Sequence, residues 1–309
     1  MDKGAHGKLL SHRDLSDCVA MKLCLVCRTS FESSDWTCPG CGARPALRDG
    51  FACFAPHLAE SNTGLPEGMH HYLEPMQERS FWYRGRNRII QSLVARYCPG
   101  AESFLEVGCG SGFVLSGLRG VLPKARLVAS EIYLHGLPYA AQRVAAPAEF
   151  IQADCLALPY DGEFDALGAF DVLEHIERDA DALIEMRRVL KPGGVLLLTV
   201  PQHPWLWSRI DEMAYHKRRY RRVELAARLR GTGYSVLCDT SFMFFLLPAL
   251  LARRFVADRG DAYDRTGEFV LPRAVDWVFD RLLDLERLAI GLGIRFPAGG
   301  SRVVVARRD

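Results

Sequence analysis

The apolar residues of this chain fall into short unbroken runs separated by longer stretches in which they recur every three or four positions, the pattern of buried strands alternating with helices. Residues 104–107 (Phe-Leu-Glu-Val) form one such run, which turns through Gly108, Gly110 and Gly112 into an apolar-periodic segment and predicts strand, tight turn and helix. A βαβ unit brings its next strand about twenty residues on, and 126–131 supplies one with Glu131 at its end. Gly193 and Gly194 read as a helix stop, and the Val/Leu run 195–200 as a strand buried on both faces. Residues 234–239 and 302–307 read as two further strands, with too much chain between them for a bare hairpin loop. Amphipathic spacing predicts one helix opening at 79–90 and another over 275–292. Residues 242–251 are nearly all apolar, are too short to span a bilayer, contain Pro248 and precede Arg253 and Arg254. Core, a lid over an apolar substrate and an interfacial anchor are the open uses of that segment.

The glycine turn carries the first chemistry. Three glycines at alternate positions let the backbone approach a ligand with no Cβ in the way, and the following helix offers unpaired N–H groups to an anionic ligand atom. The spacing is G-x-G-x-G, with Phe113 where a dinucleotide loop has its third glycine. Glu106, two residues before the first glycine, suits a cationic group such as an α-ammonium better than a pyrophosphate. The loop resembles motif I of the class I S-adenosylmethionine (SAM) methyltransferases. That resemblance implies a ribose-binding acid at Glu131, a third strand over 150–154 ending in Asp154 beside the adenine, with Cys155 alongside, and a fourth strand over 164–170 leading into Asp171, Glu174 and His175. It pairs the last two strands as an antiparallel hairpin at the sheet edge and makes the helix from 79 a lid over the methionine end of SAM. Tyr83, Arg84 or Arg88 then comes within reach of the cofactor carboxylate, with packing or solvation as the plainer use of that helix. The expected cofactor contacts are Glu106, Gly108, Gly110, Gly112, Glu131, Ile132, Asp154, Cys155, Phe170, Asp171 and Arg84.

The cysteines change the picture at the other end. Of ten, six precede residue 55. Cys24-x-x-Cys27 and Cys38-x-x-Cys41 each aim two thiolates at one point, which matches a closed tetrahedral structural zinc. A segment this short needs the metal for its folding energy. Disulfides or a redox pair are the competing readings. Cys98, Cys109, Cys155 and Cys238 read as small apolar residues of a reducing cytosol. The polar, mixed N-terminus shows no secretory signal, and no run of eighteen apolar residues occurs, so the expected location is cytoplasmic, with peripheral membrane contact through 242–254 as an alternative. A net charge of +2 shows no bias toward polyanions, and 49% hydrophobic content furnishes a sizeable core.

After the fifth strand comes a dense polar cluster, 199–222, at the carboxyl end of a parallel strand where open α/β sheets bind ligands. His216, His203 and His175 are the candidate bases, each with loop-holding by hydrogen bonds as its plain alternative. Arg218, Arg219, Arg221 and Arg222 read either as an anion clamp or as a solvated helix start. Residues 79–309 resemble bacterial methyltransferases assigned to glycan, lipid or secondary-metabolite pathways. The loop after strand four lacks the Asn/Asp-Pro-Pro-aromatic signature of nucleobase amino methylation and the cysteine of pyrimidine C5 enzymes, and a carboxylate cluster for metal-dependent catechol chemistry is not identifiable.

The expectation is a Rossmann-like doubly wound α/β fold with a seven-stranded sheet and an antiparallel final strand, preceded by a zinc ribbon. Its parts are a ribbon over 1–55, a linker over 56–78, and a methyltransferase domain over 79–309 with a helical insertion at about 240–300. It would move the methyl of SAM to an oxygen or nitrogen of a small-molecule, glycan or lipid-linked substrate. The alternatives are an RNA methyltransferase, because a ribbon before a SAM domain also resembles some ribosomal RNA guanine methyltransferases, and a non-catalytic SAM-binding or docking module.

Overall fold

Apolar runs without polar alternation need cover on both faces, and a parallel sheet flanked by helices provides it. In the protein's computed structural model, which describes residues 19–59, 75–257 and 271–309, these runs become β5 (Ser103–Val107), β6 (Arg126–Glu131), β7 (Ala148–Gln152), β8 (Phe164–Phe170) and β9 (Leu190–Pro201). The pairs β5–β6, β6–β7, β5–β8 and β8–β9 are all parallel. β10 (Tyr234–Phe242) and β11 (Ser301–Arg308) close that edge, with β11 antiparallel to both β9 and β10.

The opposite edge holds two strands more than the expected seven. β3 (Ala46–Arg48) and β4 (Phe51–Cys53) form a hairpin, and β4 pairs in parallel with β7, so the sheet runs β10-β11-β9-β8-β5-β6-β7-β4-β3. Residues 46–53 therefore belong to the catalytic sheet, and the expected boundary at residue 55 divides what the fold joins. β1 (Ala20–Leu23) and β2 (Ser30–Ser33) make a separate two-stranded ribbon. Most of the expected linker (60–74), together with Cys18, lies outside the described residues.

Helices cover each face. One core joins α1 (Phe81–Tyr97), α2 (Phe113–Val121), α3 (Leu137–Arg143) and α8 (Arg273–Gly291) to the sheet through Ile90, Leu115, Leu137 and Leu283. The other joins α4 (Asp179–Val189) and α6 (Arg222–Gly231), between which the chain forms the short α5 (Arg209–Met213), through Met186, Leu225 and Leu229. α1 starts where the Ser80 hydroxyl accepts from the Trp82 N–H, satisfying one orphan donor. α4 carries Asp179 and Asp181 in its first turn and Arg187 and Arg188 in its last, which suits the helix dipole. It ends at Val189, so Gly193 and Gly194 do not stop it. They lie in the first part of β9, where the register jumps from Phe164↔Leu190 to Ala166↔Val195.

The insertion consists of α7 (Leu247–Ala257) and α8. Phe242, Met243 and Leu246 are buried, so the first part of the apolar run is core, while Phe245, Pro248 and Ala249 are exposed; the side chains of Arg253 and Arg254 lie outside the described residues. α8 lies on α1 so closely that a Cβ at Gly85 would stand 2.4 Å from Leu283 Cδ1. Arg84 and Arg88 of α1 pair with Asp276, Asp280 and Asp284 of α8. The insertion thus fixes the helix that overlies the carboxyl ends of β5 and β8.

Candidate active site

The turn from β5 to α2 is built on left-handed backbone. Gly108, Gly110 and Gly112 have φ of 70°, 53° and 73°, and a Cβ on Gly108 would meet Val172 Cγ2 at 2.5 Å. Both the conformation and the space demand glycine there. Glu106 is 2% exposed and its Oε2 has no partner. Burial pushes its carboxyl up to about 8. A buried, half-satisfied carboxylate beside a cradle without side chains fits a cationic ligand group such as the α-ammonium of SAM. Glu131 closes the turn from the next strand, accepting from the N–H groups of Gly110 (2.8 Å) and Ile132 (2.9 Å). Asp154 shapes the loop after β7 by accepting from the Leu156 N–H at 2.9 Å, with Cys155 beside it and its thiol raised by burial. Phe170 is buried at the end of β8.

Asp171 follows Phe170 with φ of 57°, a conformation costly for a residue with a side chain and one that clusters at working sites. It pairs with Arg86 of α1 and accepts from the Thr199 hydroxyl at 3.1 Å. Arg86 is the arginine that α1 sends into the cleft. Arg84 is not: it stands on nearly the opposite face of the helix, tied to Asp276 and Asp280, so its expected contact with the cofactor carboxylate is corrected. The sequence signal that separates the two is the helix phase set by buried Gly85, Ile89 and Leu93, and Trp82, 4.5 Å from the Arg86 guanidinium, marks the same side as Arg86.

On the acceptor side, the structure brings His175 and His216 together, with ring centroids 4.8 Å apart, and leaves His203 apart against Trp205. His175 is exposed, while His216 is largely enclosed. His216 Nδ1 lies 2.9 Å from Asp211 Oδ1. Burial alone would raise Asp211, but hydrogen bonds from His216 and Arg219 hold it down at about 2. His203 has φ of 62°, a buried unpartnered Nε2 and a pKa lowered by burial and by Arg302 and Arg219. The expected arginine clamp is largely consumed internally: Arg218 pairs with Asp179, Arg219 with Asp211 and Arg222 with Asp239.

The four N-terminal cysteines converge as their spacing requires. Cys24 Sγ lies 3.6 Å from Cys41 Sγ, and Cys27 Sγ 3.5 Å from Cys38 Sγ. A tetrahedron with Zn–S bonds of about 2.3 Å has edges of about 3.8 Å, so the set fits that ion; the distances are far beyond a disulfide bond. Each pair is followed by a left-handed residue, Arg28 (φ 63°) and Gly42 (φ 73°), whose N–H donates to the first cysteine's carbonyl. The segment leading away from this ribbon touches the cofactor cradle. Gln152 Nε2 donates to the carbonyls of Ala55 and Ile132, and the Leu134 N–H donates to Ala59.

Comparison with known proteins shows what these residues resemble. Residues 105–198 match the family described as "Methyltransferase domain". A probable S-adenosylmethionine-dependent methyltransferase of Mycolicibacterium smegmatis is 30% identical over 171 residues, covering 52% of this chain and 62% of that protein. The demethylmenaquinone methyltransferase of Chlamydia caviae is 30% identical over 168 residues, covering 52% of this chain and 66% of that protein. The chain thus spans a little under two thirds of the length of these curated relatives. In fold it is similar to a structure reported as a complex of the Haloferax volcanii Trm112 methyltransferase activator with a methyltransferase, at TM-score 0.54 and 18% identity, covering 81% of this chain and 96% of the other. Among the described residues, no helix is long and apolar enough to cross a membrane. Residues 105–198 thus resemble a methyltransferase domain, and the described residues share the fold of that solved structure.

Proposed function

We propose that the protein is a SAM-dependent methyltransferase acting on an oxygen or nitrogen of a small-molecule, glycan or lipid-linked acceptor. The observation that carries this reading is Glu106, a buried carboxylate with an unpaired oxygen beneath a turn that only glycine can form. Glu106 would hold the ammonium of SAM, Glu131 its ribose, and Asp154 with Cys155 its adenine end, while Gly108, Gly110 and Gly112 leave room for the backbone to approach. SAM, when bound, supplies an electrophilic methyl on a sulfonium. Asp171 and Arg86 close the cleft between the cradle and the acceptor side, and α1 screens it from water. An acceptor aligned against that methyl would take it with its lone pair while the C–S pair stayed with sulfur, and the acceptor proton would leave toward the His175 and His216 side. Alignment contributes most of the rate in such a transfer. Relatives named for quinone substrates and for trans-aconitate support a small-molecule acceptor. The four-cysteine set is assigned to structural zinc.

SAM labelled on its methyl group, incubated with the protein and a cell extract and then fractionated, tests this. Label in the organic-soluble or small polar fraction, absent with Glu106→Gln, is the expected result. Label in RNA instead would make the ribbon a nucleic-acid clamp, a reading that Arg218 and Arg219, already held by carboxylates, do not favour.

A further inference from the structure

The acceptor side holds one group that its surroundings do not account for. Glu174 is fully buried and neither carboxylate oxygen has a partner among the described residues. Its acidic neighbours are all satisfied: Asp171 by Arg86 and Thr199, Asp211 by Arg219, Ser208 and His216, Asp179 by Tyr220, Arg218 and Arg228. Buried carboxylates are ordinarily paired or bound to metal.

We infer that Glu174, His175 and His216 form a binding site for a divalent transition-metal ion, open toward the acceptor. Their ligand atoms all lie within 4.8 Å of one another, and His216 Nε2 stands 3.9 Å from Glu174 Oε1, too far for a hydrogen bond and near the span of two metal–ligand bonds of about 2.1 Å. The two imidazole planes meet at 83° in an edge-to-face contact, so the rings are adjacent without being stacked. Each imidazole is also held from behind as metal-binding histidines are. His216 Nδ1 faces Asp211, itself gripped by Arg219, and the His175 ring faces the Ala214 carbonyl. Those contacts fix the tautomers and leave one nitrogen lone pair on each ring for the ion. The Lys217 N–H donates to the Glu174 carbonyl at 2.8 Å, locking together the two segments that contribute ligands.

One carboxylate and two imidazoles suit Mn²⁺, Fe²⁺, Co²⁺ or Zn²⁺ better than Mg²⁺ or Ca²⁺. Glu174 and His216 are enclosed while His175 is exposed, so an ion held by all three would sit at the boundary with solvent. An acceptor oxygen bound there would be polarised by the ion, which lowers its pKa so that its proton passes to solvent at the exposed His175 side while His216 serves as a ligand. Binding of the ion stands on these residues alone; only its use in methyl transfer rests on the methyltransferase reading.

The test uses the whole chain carrying a single equivalent of zinc, which the four thiolates take first, with the histidine site confirmed free of zinc before titration with Mn²⁺, which thiolate sites take poorly. Electron paramagnetic resonance counts free and bound ion, spin-echo modulation reads coupled imidazole nitrogen, and SAM binding is measured by calorimetry on the same samples. The expected result is one bound Mn²⁺ with nitrogen coupling, at least tenfold weaker in Glu174→Gln, with SAM affinity kept. Absence of bound Mn²⁺ at millimolar concentration, or unchanged binding in Glu174→Gln, overturns the site. If Glu174→Gln also loses SAM binding, His175→Gln decides, since that side chain is exposed and its loss leaves the core intact: unchanged Mn²⁺ binding there overturns the site as well. Bound Mn²⁺ in a wild-type protein that takes no SAM would instead sink the methyltransferase reading and leave the ion site standing.

Discussion

Glu106 holds its proton far above the ordinary carboxylate range because the folded protein gives its charge no water and few partners. The folded state therefore keeps a proton that the unfolded chain has released between pH 4.5 and about 8. Stability should be greatest near the lower limit and fall as pH rises through that window, by up to about 1.4 kcal/mol per pH unit from this group. Urea denaturation at several pH values should show a steeper decline for the wild type than for Glu106→Gln. SAM affinity should move the other way, rising toward pH 8 in the wild type and staying weak and flat in the variant. Gly108→Ala tests the neighbouring cradle: its left-handed backbone alone costs about 1–2 kcal/mol, and the new methyl collides with Val172. Calorimetry should find SAM affinity at least tenfold lower. At this scale the sequence was legible wherever chemistry is local. Glu106, the glycines and Glu131 sit on one strand–turn–helix–strand path, so their grouping around a single turn was readable from the chain, while the cofactor roles assigned to them came from a resemblance. Arg86 was missed for Arg84 because two arginines two residues apart differ only in helix phase, and the partners that reveal it, Asp171 and Asp276, are far away in sequence.

Among the elements, β4 does more than extend a sheet. Phe54 N–H donates to the Gln152 carbonyl and Ala55 N–H to the Gln152 side chain, so the strand that leads to Asp154 is held from its outer edge. The ribbon is tied to the main body through its first strand, where the Met21 N–H donates to Glu163 and the Leu23 N–H to the Pro159 carbonyl, and through the Trp36 ring, edge-on to Tyr160 at 5.4 Å. Metal analysis should return about one tightly held zinc per chain, lost in a Cys38→Ser, Cys41→Ser variant. Hydrogen exchange should then quicken in β1, β2 and β4 and extend into β7, while β8 and β9 stay protected. Exchange confined to 20–45 would show that ribbon and sheet are mechanically independent. None of this coupling was written in the local pattern. Two C-x-x-C pairs announce a metal knot, but nothing in Phe51-Ala-Cys53 names β7 as its partner.

For the molecule as a whole, the order of strands was readable because each βαβ step constrains the next. The sheet's length was not, and neither was the grouping of Glu174 with His216, which lie on segments brought together only when β8 and β9 are paired. The apolar face of α8 belongs to the same scale: Trp277, Leu285, Leu288 and Leu292 are exposed on a helix whose other side holds α1. The graft of β4 onto β7 has a further consequence in time. Ala52 pairs with Ile151, so β4 emerges from the ribosome roughly a hundred residues before its partner, a delay of about 5–20 s at ordinary translation speeds. Through that interval the hairpin has one bare edge and no sheet to join. The cysteine knot, complete as soon as Cys41 is made, can fold first and hold the nascent strand until the far edge of the sheet arrives.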